Sequence, residues 1–185
     1  MSILNATNLK NSSSGSNNIV LNADGTTTLT PSNIIKSGTA VATTSGTLID
    51  FTGIPSWVKR ITVMFNNVSL SGTSDILIQI GAGSVVTTGY ASGSSTTNNV
   101  NRNVTTGFNV LAGAAVIGSY GHLQLTLFTG NNWVSSHQTT LQGTVVSAVG
   151  GGAIALSGTL DRVRITTVNG TDQFDAGTVN ILYEG

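Results

Sequence analysis

Hydrophobic and polar residues alternate along much of this chain from residue 38 onward. In residues 162–168, Val163 and Ile165 share one face, and arginines and threonines share the other. The same period of two recurs in residues 178–183, where Val179 and Ile181 lie on one side. This alternation predicts strands with one buried and one solvated face. Such strands are predicted over residues 39–43, 47–51, 58–68, 75–80, 85–90, 107–111, 122–128, 132–139, 144–149, 162–168 and 178–183.

The spacing of these strands predicts an all-β fold. They are short, turn residues separate them, and the sequence has no convincing amphipathic helix and only two prolines. These features indicate an antiparallel β-sandwich or barrel over residues 37–185. A parallel β-solenoid would need a repeat period, and none is visible. The expected core faces are Ile61, Val63 and Phe65; Ile76, Ile78 and Ile80; Leu123, Leu125 and Leu127; Val163 and Ile165; and Val179 and Ile181.

Residues 1–36 differ from the rest and are expected to form an N-terminal arm. Residues 11–18 are polar and have no apolar periodicity, whereas in residues 19–29 two short runs flank Asp24-Gly25, a strong hairpin signal. One hairpin cannot bury enough surface to stand alone, so it must pack on the main domain, a partner chain or copies of itself. A plain N-terminal strand of the main domain is the alternative. Residues 31–37 are the expected boundary.

Composition excludes several classes of protein. Only 8% of residues are charged, the formal net charge is zero and 39% are hydrophobic, which argues against a disordered chain. Neutrality also argues against nucleic acid as a main partner. The absence of cysteine excludes disulfides, thiolate catalysis and cysteine-ligated zinc. The first ten residues lack signal-peptide features and no apolar run is long enough to span a bilayer, so synthesis in a cytoplasm and a soluble chain are expected.

Three segments resemble bacteriophage tail and capsid fibre proteins. They are DFTGIPSWVKRITVMFNNVS at residues 50–69, NGTDQFDAG followed by a closing TVNILYE strand at residues 169–184, and the shaft-like NSSSGSNNIVLNADGTTTL at residues 11–29. The resemblance implies a jelly-roll-like, usually trimeric head domain within a virion, joined to other virion proteins through the arm. It also implies adsorption to a host-surface glycan or envelope receptor. Trp57 is expected to be a core or subunit-interface anchor in this domain.

No catalytic residue, metal site or cofactor is predicted. Among the seven acidic residues, Asp172 and Asp175 share one loop, where bonding to nearby backbone amides is the expected role. His137 alternates with Trp133 and Ser135 and is interpreted as an ordinary strand histidine facing solvent. Gly150–Gly152 is interpreted as a flexible turn. A non-enzymatic fibre protein is therefore the expected function; a capsid decoration or collar protein, or less readily a polysaccharide depolymerase, are the alternatives.

Binding is assigned to two polar segments. Residues 92–105 form a long Ser- and Asn-rich stretch that is predicted to be a loop, and residues 130–133 form an Asn-rich turn that ends in an aromatic. Both are expected at the exposed end of a trimer, opposite the arms. Amide and hydroxyl groups beside an aromatic face suit a sugar ligand. The predicted receptor-binding residues are Tyr90, Arg102, Asn131, Asn132 and Trp133.

Overall fold

The computed structural model describes residues 8–9, 19–29, 35–111 and 115–185. All regular elements in these ranges are β-strands, and every pairing between them is antiparallel. The prediction of an all-β antiparallel sandwich is therefore confirmed. Within these ranges no helix is long and apolar enough to cross a membrane.

A nine-stranded sheet forms one layer of the sandwich. Its strands are β4 (Ile35–Ser37), β5 (Val41–Ala42), β7 (Arg60–Leu70), β10 (Ala91–Thr96), β11 (Asn101–Val104), β13 (Ser119–Thr129), β14 (Asn132–Leu141), β15 (Ser147–Ala155) and β17 (Phe174–Glu184). They are ordered β11-β10-β15-β14-β13-β7-β17-β4, and β5 also pairs with β17.

A five-stranded sheet forms the second layer. It contains β6 (Leu48–Thr52), β8 (Ile76–Ala82), β9 (Ser84–Val85), β12 (Phe108–Val110) and β16 (Arg162–Thr167), ordered β12-β8-β16-β6 with β9 paired to β8. A separate three-stranded sheet joins β1 (Asn8–Leu9), β2 (Ile19–Leu21) and β3 (Thr27–Leu29). The predicted hairpin around Asp24-Gly25 is confirmed as β2–β3, with Gly25 at a φ of 83°.

The core lies between the two larger sheets. Every residue of the predicted core faces is buried except Leu127, which is half-buried. Complete burial of each large aliphatic side chain stabilises the fold by about 1.5–3 kcal/mol. Phe108, Phe174 and Leu111 are also among the largest fully buried side chains.

The core is polar beneath one part of the nine-stranded sheet. Ser135, His137 and Thr139 on β14 point inward, and each has a buried polar atom with no hydrogen-bond partner among the described residues. Gly150 on β15 is paired with His137. A Cβ atom at Gly150 would lie 2.4 Å from Cε1 of His137, so the imidazole occupies the space that a side chain there would need. The prediction that His137 faces solvent is wrong, because its inward position on β14 buries it.

Three further predictions about local structure are corrected. Residues 92–105 form the β10–β11 hairpin instead of a loop, because their Ser and Gly residues pair with β15 across the sheet. Gly150–Gly152 lie within β15 and are not a turn. Residues 86–90 are not a strand.

The N-terminal arm can be compared with the structure only in part. Residues 1–7, 10–18 and 30–34 lie outside the described residues, and so does most of the expected boundary at residues 31–37. Ile35–Ser37 forms β4 and pairs with β17, so the predicted division between residues 36 and 37 falls inside a strand of the sandwich.

Candidate functional site

Tyr90 and Trp133 are interior residues. Each is only 2% exposed. The Tyr90 hydroxyl accepts a hydrogen bond from the Ile80 amide at 2.8 Å and donates one to the Val86 carbonyl at 3.0 Å, and its ring meets Phe108 edge-on. Burial raises the pKa of Tyr90 to about 12. The prediction that the turn at residues 130–133 presents an exposed Trp133 is wrong, because the inward register of β14 buries the indole.

The exposed aromatic beside this turn is Phe128. Leu127 pairs with Trp133, and Thr129 pairs with Asn132, so Phe128 is the extra residue of a β-bulge at the end of β13. A β-bulge changes the direction in which a side chain points from the strand. The Phe128 side chain is 75% exposed. The sequence contained a signal for it, because Phe128 falls on the opposite face from Leu123, Leu125 and Leu127.

Phe128 borders a shallow groove on the outer face of the nine-stranded sheet. This Phe128 groove has a volume of about 510 Å³. Its floor is formed by small residues, Ala153, Ala155 and Gly89, and Val134 adds an exposed apolar side chain. The groove therefore combines an accessible ring with a flat apolar surface.

Asn132 and Thr129 supply the polar groups at the rim of the groove. The Asn132 amide donates a hydrogen bond to the Thr129 carbonyl at 3.2 Å, which orients the amide beside the bulge. Asn132 is exposed, and its predicted companion Asn131 is half-buried. Hydrogen-bonding groups and an aromatic face thus adjoin one another, as a sugar ligand requires.

Arg102 lies in a different place from this turn. It is on the edge strand β11, opposite Ser94 on β10. The tip of this hairpin contacts the β14–β15 turn, through a hydrogen bond from the Thr97 amide to the Ser147 carbonyl. Asn131 and Asn132 are at the other end of β14. The structure therefore does not bring the predicted binding residues together in a single site.

Arg102 borders a cleft between the two sheets. This Arg102 cleft has a volume of about 320 Å³, and its walls come from the β10–β11 hairpin, the β7–β8 connection and the ends of β14 and β15. The guanidinium Nε of Arg102 lies 3.6 Å from Oδ2 of Asp75, which links the edge strand β11 to the β7–β8 connection. The sequence gives no signal for Asp75, since its pairing with Arg102 depends on how segments distant in sequence pack together.

Asp172 and Asp175 have local structural partners. Asp172 accepts hydrogen bonds from the Asn169 side chain at 2.8 Å and the Ser74 amide at 2.9 Å, and these bonds hold the pKa of its carboxyl below the ordinary value. Asp175 accepts a hydrogen bond from the Ser69 hydroxyl. Among the described residues, no group of three or more His, Cys, Asp or Glu side chains could hold a metal ion.

Trp57 is a marginal core residue. It precedes β7, is half-buried, and its ring centroid lies 6.0 Å from that of Tyr183. The ammonium of Lys36 lies 5.9 Å from the centroid of the indole, within the range of a cation–π contact. Trp57 therefore joins β4 and β17 to the start of β7.

Comparison with protein-family models, curated proteins and solved structures finds no match to this chain. The resemblance to phage fibre proteins therefore rests on the quoted segments alone.

Proposed function

We propose that this protein is a non-enzymatic fibre protein of a bacteriophage virion, whose sandwich is a head domain that adsorbs to the host surface. The observation that carries the adsorption role is the Phe128 groove, where an exposed ring adjoins the Asn132 amide over a floor of alanines and glycine. The exposed Phe128 ring and the neighbouring exposed Val134 are apolar surface that contact with a partner would remove from water. The phage identity comes from the three sequence resemblances.

A surface glycan is the ligand class that the groove suits best. The C–H face of a sugar ring packs on an aromatic ring, and its hydroxyls exchange hydrogen bonds with amide and hydroxyl groups. The groove is shallow and has no charged residue in its lining. These features favour a neutral segment of a polysaccharide over a charged one.

Phe128→Ala tests the adsorption role. Because Phe128 is exposed, the substitution should change the free energy of unfolding by less than about 0.5 kcal/mol. It should reduce binding to a bacterial glycan array and to host envelopes by about tenfold or more, since aromatic anchors carry a large share of interface energy.

Val145→Ala is the matched control, because Val145 is an exposed hydrophobic residue in the β14–β15 turn, away from the groove. Unchanged binding by Phe128→Ala would reject the groove as the receptor site. Binding by the wild-type protein to virion components but to no envelope would indicate a decoration or collar protein instead. Release of reducing sugar from the bound glycan would show a depolymerase.

The proposed assembly is a homotrimer whose N-terminal arms attach to other virion proteins. The resemblance implies threefold symmetry, and Ile35 and Leu48 are large hydrophobic side chains left exposed on a single chain. Light scattering of the full chain should give three times 18.8 kDa. A monomer at micromolar concentration would contradict the trimer, and immunogold labelling of particles would locate the chain within the virion.

A further inference from the structure

The Arg102 cleft is a second concave surface, distinct from the Phe128 groove. It opens at the edge of the sandwich, whereas the groove lies on the outer sheet face at the other end of β14. Its apolar lining consists of the half-buried Val100, Ile117 and Val146 and the buried Leu111 and Leu141. A volume of about 320 Å³ falls at the lower end of the range for small-molecule sites, roughly 300–1,000 Å³.

The polar part of the Arg102 cleft is the ion pair between Arg102 and Asp75, and a buried side chain contacts its carboxylate. The Asp75 side chain is only 11% exposed, whereas that of Arg102 is 54% exposed. The Asn109 side-chain amide approaches Oδ2 of Asp75 at 3.4 Å and donates to the Ser94 hydroxyl at 2.8 Å. Asn109 is itself buried, so the carboxylate is supported from behind while the guanidinium faces the opening.

This arrangement favours a neutral ligand with many hydroxyls. Arg102 and Asp75 cancel in charge, so the cleft offers ionic donors and acceptors without attracting a simple anion or cation. Asn98, Thr73 and Thr96 add neutral hydrogen-bonding groups around the same opening. A sugar can use donors and acceptors together while its C–H surface rests on the aliphatic side chains.

Several buried polar groups next to the cleft have no hydrogen-bond partner among the described residues. The carbonyl Oδ1 of Asn109 has no hydrogen-bond donor among the described residues, although buried polar atoms are normally paired. The hydroxyls of Thr139 and Ser119 also have no hydrogen-bond partner among the described residues. Thr139 lies two residues before Leu141 on β14, and Ser119 is the cross-strand partner of Leu141, so both residues neighbour a side chain of the cleft lining. The interior next to the cleft is therefore polar rather than sealed by hydrocarbon.

We propose that the Arg102 cleft binds a neutral polyhydroxylated molecule of monosaccharide size, free or as the terminal residue of a glycan. The bound ligand exchanges hydrogen bonds with Arg102, Asp75 and Asn98, and rests on Ile117 and Val146. This site is independent of the Phe128 groove and does not require the proposed adsorption role.

Saturation-transfer NMR on the full chain tests this proposal directly. Irradiation of protein methyl groups should transfer magnetisation to C–H protons of a bound sugar, because the accessible apolar wall of the cleft consists of Val and Ile methyls. The probes are glucose, galactose, mannose and N-acetylglucosamine, with acetate as an anion, and matching short glycans carrying each sugar at the end. Transfer to at least one hexose and none to acetate is the expected result.

Two variants assign the signal to the cleft. Arg102→Gln removes the cation, and Val146→Trp fills the opening with a ring; each should weaken hexose binding by about tenfold or more. Arg164→Gln is the matched control, because Arg164 forms a paired contact with Asp50 at 2.7 Å, between β16 and β6. Circular dichroism checks that all three variants remain folded.

Several outcomes would overturn the proposal. They are no transfer to any hexose, equal transfer in Val146→Trp and wild type, or transfer to acetate in preference to sugar. Phe128→Ala separates this site from the groove: it should leave the hexose signal of the cleft unchanged. Loss of that signal in Phe128→Ala would place the sugar in the groove and reject the cleft.

Discussion

The indole of Trp133 is enclosed between the sheets, and that of Trp57 lies at the margin of the core. Trp133→Ala should therefore lower the free energy of unfolding by about 3–5 kcal/mol, as a buried large-to-small change. Trp57→Ala should cost only about 1–2 kcal/mol, since part of its surface already contacts water. Urea denaturation of the two variants measures both. A loss of stability above about 2 kcal/mol for Trp57→Ala would show that this margin of the core is buried in the assembled protein.

His137 should make the fold sensitive to mild acid. Burial lowers the pKa of His137 to about 4, against 6.5 as its ordinary value. The unfolded chain therefore takes up a proton first, and stability is lost as the pH falls from about 6.5 to about 4. The difference corresponds to about 3 kcal/mol. Asp50, whose pKa the Arg164 hydrogen bond lowers from 3.8, acts below this window.

Urea denaturation at several pH values between 4 and 7 measures this effect. His137→Gln should flatten the slope of stability against pH, because the variant has no buried imidazole to protonate. An equal slope in His137→Gln and wild type would assign the acid sensitivity to other groups.

At the scale of elements, the glycines of β15 allow its neighbours to approach closely. A Cβ at Gly150 would lie 2.5 Å from the Gly93 carbonyl oxygen as well as 2.4 Å from the His137 ring. Gly150→Ala should therefore destabilise the protein by about 1–3 kcal/mol through overpacking. Thermal unfolding measures the loss.

Gly158→Ala is the control for this substitution. A Cβ there would meet only the Cβ of Ala82, at 3.4 Å, so the neighbour need not move far. A similar loss in both variants would mean that the cost does not come from contact with β10 and His137.

At the scale of the whole molecule, the sandwich draws its strands from Ile35 onward. Removing residues 1–34 should therefore leave its melting temperature nearly unchanged, while weakening trimer association or virion attachment. Removing residues 1–43 should lower the melting temperature, because β4, β5 and Thr43 leave β17. The buried Thr43 hydroxyl donates to the Ala176 carbonyl at 2.6 Å.

Differential scanning calorimetry of the two truncations, with light scattering, separates these effects. If removal of residues 1–34 abolished the β-sheet signal in circular dichroism, the first hairpin would belong to the core and could not be an arm.

The sequence by itself determined the strands whose faces differ in polarity. Ile76, Ile78 and Ile80 show the period of two, and Asp24-Gly25 marks a hairpin, because alternation and turn chemistry are local properties. Where both faces of a segment have the same polarity, only the tertiary structure decided whether the segment forms a strand. Residues 91–96 have no apolar face, and they form a strand because β15 and β11 satisfy their backbone.

The candidate sites likewise depend on tertiary structure. Along β14, alternation groups Trp133 with His137 but does not say whether that group faces the core, and only packing against the second sheet buries it. Alternation along β13 indicates that Phe128 faces outward, but the bulge at Phe128 exists only once β13 and β14 pair. Arg102 lies on β11 and Asp75 lies in the β7–β8 connection, so their contact depends on how segments distant in sequence pack together. Residue periodicity is local, whereas a site is formed by residues distant in sequence.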